Sequence, residues 1–108
     1  MNKYIAIYVR RSVSDKEKGN NSLSIPAQIA DCIRFVGEEA FYKVYEEDGK
    51  SGKDIKHRPA FMRMFHNIKR FLKIVFGGIP SRTICKPYEF KATPYKAINK
   101  ITQVKLNA

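Results

Sequence analysis

The sequence predicts an α/β fold, a small parallel sheet flanked by helices. Three observations predict it. Residues 4–9 (Tyr4, Ile5, Ala6, Ile7, Tyr8, Val9) form one unbroken apolar run of β-branched, aromatic and small side chains, the composition of a buried strand. Two later stretches repeat apolar residues at helical spacing. Two shorter apolar runs, 41–45 and 73–76, follow them, so strand and helix alternate along the chain. That alternation implies parallel strands joined by right-handed crossovers.

The first strand leads straight into Arg10, Arg11 and Ser12. In open α/β sheets, sites form at the carboxyl ends of the strands. A serine oxygen is a weak nucleophile unless its surroundings activate it. Planar guanidinium groups fork onto phosphate oxygens, so the arginines suit an anionic electrophile. Two readings of these residues stand side by side: a serine placed to meet a phosphate, and a basic surface loop.

Residues 13–21 are polar, mixed in charge and rich in Gly and Asn, which reads as a loop. Ser24 stands before Ile25-Pro26, a helix start: a hydroxyl caps free N–H groups, and proline is tolerated in the first turn. Ile25, Ile29, Cys32, Ile33, Val36 and Ala40 then recur on one face, predicting a helix over 25–39. Cys32 falls on that apolar stripe and reads as a small core residue.

Residues 41–45 are the second predicted strand, followed by Glu46-Glu47-Asp48. A run of acids reads as a solvated face. Asp48 carries more weight because it adjoins Gly49-Lys50-Ser51-Gly52-Lys53. That basic glycine loop is too short for a nucleotide phosphate loop, and Asp54 stands where the motif needs a hydroxyl. A flexible loop touching a nucleic-acid backbone through Lys50 and Lys53 fits better. His57-Arg58-Pro59 opens a second helix whose stripe is Phe61, Met64, Phe65, Ile68 and Leu72. His57 and His66 have no companions at ligand spacing, so no metal is expected. Residues 73–76 are the third predicted strand.

The totals agree with one small domain of 108 residues. Its 21 Lys+Arg against 10 Asp+Glu give a net charge of +11, which favours polyanions, nucleic acid first. No stretch approaches the roughly 20 apolar residues of a membrane span. Cys32 and Cys85 make neither a disulfide framework nor a zinc spacing, and no signal peptide is evident, so the expected compartment is the cytoplasm.

Taken together, four blocks resemble the catalytic domain of serine recombinases, the resolvase and invertase family, particularly its large-serine-recombinase branch. They are Tyr8-Val9-Arg10-Arg11-Ser12, residues 22–28 ending in Gln28, residues 45–54, and Arg58-Pro59-Ala60-Phe61. The resemblance covers residues 3–74. It implies a resolvase-like catalytic domain in which a serine hydroxyl attacks a DNA phosphodiester. The products are a 5′-phosphoserine link and a free 3′-hydroxyl, and rejoining reverses the attack. It implies no metal, nucleotide or other cofactor. Its partners are DNA and other recombinase subunits, assembled as dimers and tetramers. Carried over by position, Ser12 is the nucleophile, and Arg10 contacts the scissile phosphate. Gln28, Asp48 and Arg58 lie at the family's glutamine, aspartate and arginine positions near the site. Arg11 departs from the family, standing where many members have a small residue, and is expected to add a phosphate contact.

The resemblance stops after residue 76. The family continues with further arginines in an Arg-x-x-Arg pattern, whereas here Arg82 is the only arginine that follows. Across residues 77–108, Lys86, Lys91, Lys96, Lys100 and Lys105 are opposed by Glu89 alone, and three prolines interrupt any long helix. The expected organisation is a partial catalytic domain over 1–76 and a divergent basic tail over 77–108, left by truncation or frameshift. Two functions follow: a recombinase lineage whose chain is inactive alone, or a non-catalytic protein that binds DNA or recombinase subunits.

Overall fold

A computed structural model describes residues 3–11, 24–37, 41–48, 58–77, 83–90, 93–94 and 96–98; for Asp48 and Thr83 it describes the backbone only. The predicted loop 13–21, the glycine loop 49–53, and the end of the first predicted helix at 38–39 lie outside the described residues.

The first strand, β1, is Tyr4–Arg11. It runs two residues beyond the apolar stretch, carrying Arg10 and Arg11 within the sheet. A helix follows, α1, Ile25–Val36. The Ser24 hydroxyl accepts from the Ala27 N–H at 3.3 Å and supplies the expected cap. Gly37 ends α1 at φ 92°, a left-handed conformation open to glycine, and donates its N–H to the Ile33 carbonyl at 3.0 Å. Strand β2 is Tyr42–Asp48, helix α2 is Pro59–His66, and strand β3 is Phe71–Phe76.

A 3₁₀ turn, Ile68–Arg70, separates α2 from β3. The predicted second helix is therefore shorter than its apolar stripe. Leu72 matches helical spacing from Phe61 but belongs to β3 and is 58% exposed. Periodicity cannot separate a last helical turn from the start of a strand when apolar residues fall on both patterns.

The four-stranded sheet has the order β2-β1-β3-β4, where β4 is Thr83–Cys85. β1 pairs in parallel with β2 and β3, while β4 lies antiparallel to β3. The class is mixed α/β with helices flanking the sheet. The predicted parallel sheet is its three-stranded part, and β4 adds an antiparallel edge from the segment that composition set apart.

β1 is central and buried on both faces, which explains its unbroken apolar run. Ala6 and Tyr8 pack with Phe61 and Met64 of α2 and with Ile74 and Phe76 of β3. Ile5, Ile7 and Val9 pack on the other face with Ile25 and Cys32 of α1 and with Val75. The Tyr8 ring meets Phe61 and Phe76 edge-on, with centroids 5.5 and 6.2 Å apart. Such pairs contribute about 0.5–1.5 kcal/mol each beyond area burial. Cys85, Phe90, Ala97 and Ile98 join the α2-side core, so residues after 76 help to close it. Among the described residues, no helix is long and apolar enough to cross a membrane.

Candidate active site

The carboxyl ends of β1 and β2 meet the start of α2. Register places Arg10 opposite Glu47 and Arg11 opposite Asp48. Side chains alternate along a strand, so Arg10 follows Tyr8 toward α2, and Arg11 follows Val9 toward α1.

Arg10 is fixed through its backbone. Gln28 reaches from α1, accepting from the Arg10 N–H at 3.3 Å and donating to the Arg10 carbonyl at 3.0 Å. Its amide thereby pairs with the strand end as another strand would, and it is 1% exposed. The same spot explains Gly77, which follows β3 and donates its N–H to the Tyr8 carbonyl at 2.8 Å. A Cβ there would lie 2.7 Å from Val9 Cγ1 and 2.8 Å from Gln28 Oε1. Only glycine lets β3 turn away without displacing the glutamine.

Arg58 is the residue before α2, at φ −127° and ψ 63°, and only 8% exposed. Its side chain gives α2 no cap. Glu47 caps it instead, across 13 residues of chain. Its carboxylate accepts from the Ala60 N–H at 3.3 Å and the Phe61 N–H at 3.0 Å, and the Tyr8 hydroxyl donates to it at 3.5 Å. Pro59 has no N–H, so Glu47 satisfies the first two amides that need a partner inside this helix start.

The electrostatics follow from burial. Desolvation raises the Glu47 pKa above the usual carboxylate value and outweighs the opposing pull of the two amides, Arg63 and Arg58. Desolvation, then Glu47, raises the Tyr8 phenol, which stays neutral and can donate. Desolvation also lowers Arg58, and the neighbouring Arg10 charge adds to that, against the raising influence of Tyr8 and Glu47. Arginine nonetheless keeps its charge in proteins. Among the described residues, the guanidinium groups of Arg10 and Arg58 thus share one locality with one buried carboxylate and one phenol. An anion entering there meets a surplus of positive charge from those described side chains.

Of the residues expected at the site, Arg10, Gln28 and Arg58 come together here. Arg11 is half-buried beside them, and its Nε is shut off from solvent with no hydrogen-bond partner among the described residues. Asp48 closes β2 opposite Arg11. Ser12, Lys50 and Lys53 lie outside the described residues. Glu47, 2% exposed, is not part of a solvated acidic face, which corrects the expectation for that run. The signal that finds it is period-two alternation from buried Tyr45, two residues earlier on the same face.

The family model described as Resolvase, N terminal domain matches residues 5–80. The match spans more than half of the chain, and the chain belongs to this family. Comparison with curated proteins and with solved structures gave no match. The family's work is recombination of DNA by assembled subunits.

Proposed function

We infer that this chain carries the phosphoryl-transfer centre of a serine-type site-specific DNA recombinase, with residues 1–76 as its catalytic part. Ser12 Oγ attacks a DNA phosphodiester. A bond forms between Oγ and phosphorus, the bond to the 3′ oxygen breaks, and that oxygen leaves as a 3′-hydroxyl. The 5′-phosphoserine link conserves the bond energy, so rejoining needs no outside fuel. Arg10 and Arg58 stabilise charge that builds on the phosphoryl oxygens. Gln28 holds Arg10 in place, Asp48 sits beside the same phosphate, and Arg11, Lys50 and Lys53 touch the flanking DNA backbone.

The observation that carries this reading is that Arg10 and Arg58 converge on Glu47 at the strand ends. Arg10 lies two residues before Ser12 and opposite Glu47 in the sheet, and buried Arg58 precedes the helix start that Glu47 caps. Glu47 offsets one of these two charges, so a phosphate brought to the strand ends would meet positive groups already in place.

A denaturing gel tests the reading. The chain is mixed with nicked suicide DNA carrying a recombination site. A protein–DNA band lost in Ser12→Ala and weakened in Arg10→Ala and Arg58→Ala supports catalysis by this chain. No covalent band, with DNA binding that persists in Ser12→Ala and fades with salt, points to the non-catalytic binder instead.

A further inference from the structure

The other end of the sheet carries a second feature, unrelated to phosphate chemistry. Lys3, the end of α2 at Phe65, the 3₁₀ turn Ile68–Arg70, the start of β3 and the stretch from Lys86 through the 3₁₀ turn Pro87–Glu89 to Phe90 enclose a groove of about 770 Å³. Phe71 and Phe90, both buried, form its floor. Leu72 and Tyr88, 58% and 61% exposed, stand in its walls. Lys3, Lys69 and Lys86 mark its rim, and no acidic residue lines it among the described residues. Large exposed apolar side chains gathered in one concave, single-sign patch mark an interaction surface more often than scattered ones do.

We propose that this groove docks an acidic peptide segment of a partner protein, anchored by one or two large apolar side chains between Leu72 and Tyr88. The charge selects the occupant. A second copy docked through the same groove would set lysines against lysines. The chain's own residues 99–108 carry Lys100 and Lys105 and no acid, so they do not complement the lysine rim. Single-stranded nucleic acid needs a row of exposed aromatic faces for stacking. Beside Tyr88, the groove's other exposed apolar wall residue, Leu72, is aliphatic. Duplex DNA and a membrane surface present broad fronts that do not fill a cleft. An extended chain or a helix turn with apolar anchors does, and acidic neighbours meet the lysines at the rim. β1 has eight residues, which separates the groove from the candidate active site by roughly 25 Å. The groove and a DNA phosphate are therefore occupied at once without collision.

The test uses the ¹⁵N-labelled full chain and a designed peptide of roughly ten residues alternating Asp or Glu with Leu and Phe. Two companion peptides replace Leu and Phe with Ser, or the acids with Lys. The expected result is saturable binding of the first peptide alone, with amide shifts at Lys3, residues 68–72 and residues 86–90. Leu72→Ser and Lys86→Glu should each weaken that binding about 5- to 10-fold. Both positions are exposed; should either variant lose its native circular dichroism, Tyr88→Ser is read in its place. Equal binding of the Ser-substituted peptide reduces the site to bare charge and overturns the proposal. So does no binding at about 1 mM peptide, or shifts confined to the Arg10 and Arg58 end. Displacement of the peptide from the same residues by an oligonucleotide, or by phosphatidylserine vesicles, assigns the groove to that other class and also overturns it.

Discussion

Glu47 shows how one side chain can join a helix to a sheet. It satisfies two amides of α2 and receives the Tyr8 hydroxyl, all in a buried setting. Glu47→Ala strands those amides, and each buried unsatisfied group costs about 1–3 kcal/mol. We expect a loss of about 2–4 kcal/mol in urea or guanidinium unfolding. The charge itself has a sign. Its folded pKa is raised above the unfolded value, so the folded state holds the proton more tightly. The Glu47 contribution is then fully present below the unfolded pKa and is lost as pH rises through the folded one. Stability measured against pH should fall across that window, and Glu47→Gln should flatten the fall. A fall of equal slope in the variant would refute the assignment. Gly77→Ala tests the neighbouring contact. Its Cβ overlaps Val9 and Gln28, so a cost of about 1–3 kcal/mol is expected from overpacking, together with shifted Arg10 and Gln28 amide resonances.

At the scale of elements, caps and stripes decide the outcome. Ser24→Ala removes the α1 cap and should cost about 1 kcal/mol in thermal or chemical unfolding. The two ends of the second apolar stripe should behave differently. Phe61→Ala opens the core beneath Tyr8 and should cost about 3–5 kcal/mol, while Leu72→Thr should stay within about 0.5 kcal/mol, as exposed substitutions do. Comparable losses at both would mean that Leu72 is packed as a helical core residue after all. Much of this level was legible beforehand. Ser24, Pro26 and the Ile25–Val36 stripe announce α1 because capping and amphipathicity are local properties. The early end of α2 was not legible. Phe65, Ile68 and Leu72 fit helical spacing equally well, and only the pairing of β3 with β1 and β4 draws residues 71–76 into a strand.

For the whole molecule, the proposed contact with DNA is tested by its salt dependence. Engagement of about five phosphates by the residues proposed for it, Arg10, Arg11, Arg58, Lys50 and Lys53, would give a slope of roughly −4.5 in log affinity against log salt. Between 50 and 200 mM salt the affinity should fall several hundred-fold, roughly. Fluorescence anisotropy with a duplex reads this directly, and a slope near zero would remove DNA from the candidate site. The buried thiols give a second whole-fold readout. Burial, with Asp31 adding to it, pushes Cys32 up to about 11. Alkylation at pH 8 should therefore be slow in the native chain and fast once it unfolds.

The sequence by itself determined the layered class, a first strand over residues 4–9 leading into Arg10 and Arg11, the capped α1, and the family's motif blocks. All of these are read within a few residues of chain, where propensity, capping and periodicity act. The partners were decided by the tertiary structure alone. Glu47 caps a helix 13 residues away, Gln28 seals the end of β1 from 18 residues away, and residues 83–90 complete a sheet and core that their composition did not announce. Contacts of that kind depend on which faces meet after the strands pair, and that choice is made by burying β1 on both sides at once.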